Sequence, residues 1–596
     1  MCLLTVTGLF AQSGYRYHIN LNTIEKDRLQ VELATPTVQQ STVEFHIPRV
    51  VPGTYSVSDF GRWVKNLEAF DAQGAALPVK KLDKNRWKIS EATRLAKITY
   101  TLEDTFDGKL FKPFQPTGTN FEADQNFLLN THSCFGYLKG YENQPFQIDI
   151  TRPEDFYGAT SLTRAGTQGN TDIFTASRYF ELADNPIMYC EPDTASVMVG
   201  GAQVMVSVYS PNGKVSAAFV RDEVTEVLKA HETYMGGQLP VDRYTFLIYL
   251  TDGFSLRQGA LEHSYSSVYY LSETTESRIA GILRGVAAHE FYHIVTPLNI
   301  HAEEIGDFDF INPEMSEHLW LYEGVTEYAS VHALLMADPT DMEGFAREMG
   351  GKVRTSLRRY KDDLPFTEMS RNVLKKQRQY LNVYQKGALI GFCLDIKLRQ
   401  WSNGAYGLQD LILDLSKEYG KEVSFQDEEL FDKIAELTAP EIKTFLTTYV
   451  SGPAPLPLKE SFAAIGLDYD AYYEEEGNHL WANWGLNTET QQVRIYGFNK
   501  KTSFTKALGL KKYDVITSVN GQALTADTFY DVMNPFMTLP EGTMIRMEVL
   551  RDGETILLEA PAIHSLRKRK HYLRLMENPT AEQLAMRKAW LTPPQG

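Results

Sequence analysis

The chain has 596 residues, 43% hydrophobic and 23% charged, the composition of a soluble globular protein too long for one core, so two to four domains are expected. Its 59 basic and 76 acidic residues give a net charge of −17, which argues against nucleic acid and anionic membrane as main partners. The cysteines, at 2, 134, 190 and 393, form no C-x-x-C pair, so the spacing of a thiolate metal site is missing; buried free thiols are expected ahead of a Cys134–Cys190 disulfide.

Met1–Ala11 is apolar and ends in small residues, like the second half of an export signal. Residues 1–14 are therefore read as a shortened leader, with a periplasmic or cell-envelope location expected and the cytoplasm as the alternative. No other run approaches ~20 apolar residues, so no transmembrane helix is expected. From about 15 to 165, period-two runs such as Tyr15–Leu21, Leu29–Leu33, Thr42–Ile47 and Ile98–Leu102 alternate with turn residues, including Pro52-Gly53. They predict a β-sandwich-like domain. His18, His46 and His132 fall here without metal-ligand spacing and read as structural.

Residues 166–255 are mixed, with a helix expected over Glu223–Met235 and a buried strand over Tyr244–Leu250. Gly259-Ala-Leu-Glu-His263 and a strand at Ser266–Leu271 follow. Helices are then predicted over Ser277–Pro297, Glu314–Met336 and Gly387–Arg399, with a loop over Asn299–Pro313. Gly452–Pro457 marks a boundary. Strand patterning returns over 475–562, with a helix at Ala526–Phe536. Arg567–Lys570 reads as a solvated basic run, and Thr580–Leu591 as a terminal helix with Thr580 and Gln583 in capping-box spacing.

The chemistry centres on His289-Glu-Phe-Tyr-His293. In H-E-x-x-H on a helix, both imidazoles share one face and can reach one metal ion, and the glutamate can take a proton from water activated there. Ile279, Ile282, Val286, His289 and His293 follow helical spacing, so the histidines are expected to continue a buried apolar stripe. The alternative is two ordinary histidines on a core helix. A catalytic zinc site needs a third protein ligand. The metzincin continuation would place Gly at 296 and His at 299, but the chain has Thr296 and Asn299; His301 follows Pro297 and does not fit. Glu323 is the better candidate. It lies in Trp320-Leu-Tyr-Glu-Gly324, where a buried carboxylate is costly unless paired or metal-bound; its alternative is a surface glutamate. Glu327, one turn on, either accepts a hydrogen bond from a ligand histidine or is solvated.

HEFYH, LWLYEG and YQKG, in this order, resemble the gluzincin aminopeptidases, whose catalytic domain is thermolysin-like. The resemblance implies one zinc ion on His289, His293 and Glu323, with Glu290 as base. It implies that Tyr384 hydrogen-bonds the oxyanion, with Tyr380 as fallback. It also implies that Glu262 binds the free amine of a peptide substrate while the backbone at Gly259 and Ala260 flanks the peptide as an edge strand. GALEH in place of GAMEN, and the long gap to Glu323, resemble most closely the glycyl-aminopeptidase family of PDZ-bearing zinc peptidases. The fold implied is multidomain α+β: an N-terminal β domain (15–165), a thermolysin-like, mostly helical zinc peptidase domain (166–455), a PDZ domain (475–562) and a helical tail (563–596). The family implies peptides with a free N-terminus as substrates, with small first residues, glycine or alanine, preferred. Gly485-Leu486 would mark the carboxylate-binding loop of the PDZ domain, which would take a peptide C-terminus, although Lys511-Lys512-Tyr513 stands where a glycine is usual. Two other functions fit these motifs less well: a zinc endopeptidase of the same fold, and a catalytically inactive PDZ-containing scaffold.

Overall fold

The computed structural model describes residues 14–106, 113–253, 257–487 and 490–594. The expected leader at Met1–Ala11 lies outside them. Alternation builds the N-terminal region as expected: Tyr15, Tyr17 and Ile19 point into the core while Arg16 and His18 face solvent, and Leu29, Val31 and Leu33 repeat the pattern. An eight-stranded sheet runs from Thr163–Gln168 at one edge to Ala76–Leu77 at the other. Two four-stranded sheets accompany it. The β region continues to Cys190, past the expected end at 165, because Ile187–Cys190 pairs antiparallel with Asn126–Leu129. Cys134, Cys190 and Cys393 are buried and free. His46 and His132 are buried, and His132 is held by the carbonyls of Thr117 and Ala183 at 3.0 and 3.3 Å.

The helical region opens on a mixed sheet of β1 (Thr194–Val199), β2 (Ala202–Tyr209), β3 (Arg243–Thr251), β4 (Gly259–His263) and β5 (Ser266–Ser272), in the order β1-β2-β3-β5-β4. β2, β3 and β5 are parallel, and β4 is an antiparallel edge strand. Against it pack α1 (Ala217–Tyr234) and α2 (Glu276–Tyr292); α3 (Thr326–Ala337) packs on these two helices, and α4 (Met342–Arg359) and α5 (Lys386–Trp401) pack on α3 and on each other. The helix expected from Glu314 starts only at Trp320. Asp427 holds back the segment before it: its carboxylate accepts from the Ser316 hydroxyl (2.6 Å) and the Glu317 amide (2.7 Å), and its carbonyl accepts from the His318 ring (2.7 Å).

Residues 468–574 form a second compact unit with its own core, including Val493, Ile495, Phe504 and Met547. An antiparallel sheet carries helices at Ser503–Leu508 and Phe529–Met537. Gly485 and Leu486 are not in a loop, as expected, but inside strand Ala482–Asn487, opposite Arg494 and Val493. A side chain at 485 would meet the Tyr496 ring at 2.0 Å, so the glycine serves cross-strand packing. The basic run is solvated as expected, with Lys568 and Lys570 exposed, and is ion-paired as well. It lies in strand Ser565–Leu575, paired with Leu467–Gly477, where Lys568 and Arg569 meet Glu474 and Glu475 at 2.9 and 2.6 Å. After this ribbon, α6 (Ala581–Trp590) returns to the first unit. Thr580 and Gln583 cap it reciprocally, at 2.8 and 3.3 Å. Among the described residues no helix is long and apolar enough to cross a membrane.

Candidate active site

The core face of α2 is Ile279, Leu283, Ala287 and Phe291. Of the stripe expected to be buried, Ile279, His289 and His293 are buried and Ile282 is exposed; Ile282, Val286, His289 and His293 line a cavity of about 920 Å³. Core and cavity linings share the same helical period, so periodicity alone could not separate them. His289 and His293 bring their Nε2 atoms to 3.1 Å of each other. Glu323 Oε2 lies 3.4 Å from the first and 3.8 Å from the second. Three ligands on one tetrahedral zinc at ~2.1 Å would stand about 3.4 Å apart. All three side chains are buried, and Glu323 Oε2 has no hydrogen-bond partner. A buried carboxylate oxygen facing two imidazole nitrogens is the donor set a cation satisfies, and the residues fit zinc. The His293 Nδ1–H donates to the Thr296 carbonyl at 3.0 Å, which leaves Nε2 free for a metal.

Glu323 is delivered by six residues of wider helix, Trp320–Val325, leading into α3. Such i→i+5 turns recur at functional sites. Gly324 explains the close approach that follows. A side chain there would come within 2.6 Å of the Gly387 backbone, and one at Gly387 within 2.7 Å of Gly324 Cα. Glycine at both positions lets α3 and α5 touch backbone to backbone. That contact brings Tyr384, just before α5, beside the histidines: its ring centre is 5.4 Å from that of His289. The Tyr380 and Tyr384 hydroxyls are 2.8 Å apart, and burial and Glu323 hold both phenols in the protonated, donating form.

Glu327 reaches His289 from behind, its Oε2 2.7 Å from Nδ1. Its other oxygen pairs with the buried Lys352, which also meets Glu348 at 3.1 Å. Burial alone would raise the Glu327 carboxyl, but Lys352 and His289 hold it at about 2. Burial pushes Glu290 up to about 7, and with Glu323 and Glu290 nearby it raises Glu262 as well. Glu262, Glu290 and His293 present polar atoms within 4.8 Å of one another. Gly259 and Ala260 line the cavity from edge strand β4. His263 turns away and fastens the strand to Asp184 at 3.1 Å.

Sequence reasoning missed what the β domain and α4 contribute. Gly53, in the left-handed region at φ +78°, sits against Glu262: a side chain there would meet Glu262 Oε1 at 2.4 Å. Tyr55, also at positive φ, packs its ring 5.4 Å from that of Tyr380. The Phe114 ring stands 2.6 Å from where a Gly259 side chain would begin. Pro52-Gly53 was a visible turn signal, but nothing local to it, to Phe114 or to Lys352 tells which distant residue each one meets.

This fold and this site define a gluzincin zinc metallo-aminopeptidase, and comparison with known proteins narrows the class. The Peptidase M61 N-terminal domain model matches residues 16–191 and the M61 glycyl aminopeptidase model matches residues 282–390. Over these two stretches the chain is similar to the M61 glycyl aminopeptidase family. No curated protein matches it. Among solved structures, an aminopeptidase N family protein from Idiomarina loihiensis is similar over 97% of this chain and 100% of its own, at 19% identity and a TM-score of 0.71. That likeness establishes the fold. An M1 zinc metallopeptidase from Deinococcus radiodurans is similar over 75% of this chain and 95% of its own, at 14% identity and a TM-score of 0.48.

Proposed function

We propose that this zinc aminopeptidase removes glycine or alanine from peptides with a free N-terminus, using the residues singled out above. The observation that supports the reading is the crowding at one end of the cavity, where a side chain at 53 would meet Glu262 and the Phe114 ring takes the space beside Gly259. Glu262 pairs with the substrate ammonium, and the backbone of Gly259 and Ala260 flanks the first peptide unit. The Phe114 ring beside Gly259 would restrict the first side chain to a small one. His289, His293 and Glu323 hold the zinc, with Glu327 and Lys352 fixing His289. Zinc, when bound, supplies Lewis acidity that acidifies water and polarises the scissile carbonyl. Glu290 takes the water's proton and passes it to the leaving amine. The Tyr384 hydroxyl donates to the developing oxyanion, with Tyr380 hydrogen-bonded behind it.

The same reading takes 468–574 as a PDZ-type domain that would accept a peptide C-terminus. Its paired strands and two short helices support this; the strand position of Gly485-Leu486 speaks against that pair forming the carboxylate loop.

Matched Gly-, Ala- and Leu-headed peptide amides test the preference. kcat/KM for the leucyl peptide is expected to fall at least about tenfold below the glycyl one, the lower end of what a pocket's fit to a side chain supplies. Phe114→Ala is expected to narrow that gap. A leucyl peptide cleaved as fast as the glycyl one by the wild type would remove the small-residue preference.

A further inference from the structure

The cavity extends well beyond the metal ligands. From Val286 it follows the seam between α2 and α3 to the turn that joins α3 to α4. Its waist is apolar, formed by Ile282, Val286, Leu334 and Phe345, and Ile282 is 46% exposed although it lies on a helix face that leads to the catalytic histidines. An exposed apolar residue continuous with a binding cavity is explained by what it binds. At the far end stand Asp338, Asp341 and Glu348, all exposed.

Charge in the cavity is one-sided. Seven carboxylates line it and, among the described residues, no lysine or arginine does. Four of the seven belong to the metal and amine end, where zinc and a substrate ammonium would offset them. The three at the far end are only partly answered. Lys352 meets Glu348 but is shared with Glu327, and Arg347 stands 3.9 Å from Asp341. Asp338 accepts from Thr340, and Asp341 caps α4 through the Gly344 amide; neither contact cancels a charge.

We infer that this arm binds the part of the peptide that follows the cleaved bond, and that it selects oligopeptides with apolar side chains in the first three positions after the bond and a lysine or arginine about five residues on. The inference rests on the aminopeptidase reading. With Gly53 and Phe114 crowding the amine end, the rest of the peptide would leave along this arm. From Glu327 to Asp338 is eleven residues, about 16 Å at ~1.5 Å per residue of helix. An extended peptide covers that distance in about five residues at ~3.3 Å each. The apolar waist, from Val286 to Ile282 and Leu334, meets the first three side chains past the bond, and the acidic rim meets the cationic one.

The test compares Gly-Leu-Ala-Ala-Ala-Lys amide with its Glu-ended analogue, beside Gly-Leu amide. At low salt kcat/KM is expected to favour the Lys peptide by about fivefold or more, as a few exposed charges allow, and the preference should collapse toward one in 1 M NaCl. Asp338→Asn combined with Asp341→Asn, which keeps a capping side chain on α4, should shrink the ratio. A ratio of rates on one preparation does not depend on how much of the variant is folded. A ratio near one at low salt, or one unchanged by both substitutions, overturns the inference. The same two hexapeptides, titrated calorimetrically into the zinc-loaded Glu290→Gln full chain, should show the same preference in Kd, and equal Kd values overturn it too. Failure to cleave Gly-Leu amide would count against the aminopeptidase reading, while the binding ratio judges the arm without any turnover.

Discussion

Glu290→Gln is expected to lower kcat by about 10²- to 10⁴-fold, the usual contribution of a positioned general base, while the purified chain keeps one zinc. The substitution preserves shape and removes only the ability to take a proton. Glu290 is 8% exposed and shares a cluster with Glu262 and the metal-ligand candidate His293, which puts its carboxylate beside the candidate metal site. Burial places its carboxyl at about 7, where an acid–base group works both ways near neutrality. The metal-ligand trio does not include it, so metal content should be unaffected. Steady-state rates on a glycyl anilide, with zinc measured on the same samples, check this. Near-wild-type turnover in zinc-loaded Glu290→Gln would remove Glu290 as the base.

The second large effect lies far from the metal in sequence. Trp590→Ala is expected to destabilise the first unit by about 3–5 kcal/mol, the range for truncating a buried tryptophan. Trp590 is fully buried at the end of α6. Its ring stacks on His332 of α3 with centres 4.5 Å apart, and meets Phe345 of α4 edge-on at 5.0 Å. Its indole N–H donates to the Tyr328 hydroxyl at 2.7 Å, which donates in turn to Asp395 at 2.6 Å. Arg399 ties Asp395 to the Ala589 carbonyl at 2.9 Å. Alanine would leave a cavity and strip a donor from a buried network. Trp590→Phe should recover most of the packing and lose mainly the hydrogen bond. Urea unfolding of the three chains reads the difference, and an unchanged midpoint for Trp590→Ala would contradict it. Because Tyr328 adjoins Glu327, the same variant should also bind zinc more weakly.

These two residues mark how far the sequence could be read. Glu290 stood in a five-residue motif with a helical period, and Glu323 and Tyr384 could be placed because each carries a neighbouring glycine in a short pattern. The structure supplies the physical reason for those glycines, which is the backbone contact between 324 and 387. Trp590 had a legible helix and cap, yet nothing in a local pattern says where an amphipathic helix docks. Gly53, Phe114 and Lys352 were opaque for the same reason, since each acts on a residue 25 to 209 positions away. In the α2 stripe Ile279, His289 and His293 are buried as expected, while Ile282 and Val286 keep the same core-like period because they line a cavity. The helix expected from Glu314 failed because Asp427, more than a hundred residues on, ties down the segment before Trp320.

We propose that Glu262 reads a free amine at the Gly53–Phe114 end of a zinc peptidase cavity. The most direct test is kcat/KM of the metal-replete full chain on glycyl-alanyl-alanine amide and on the same peptide acetylated at its N-terminus. The account predicts that acetylation lowers kcat/KM by about 100-fold or more, as expected when a buried carboxylate loses its charged partner. Equal rates on the two peptides would contradict it and would make the protein an endopeptidase.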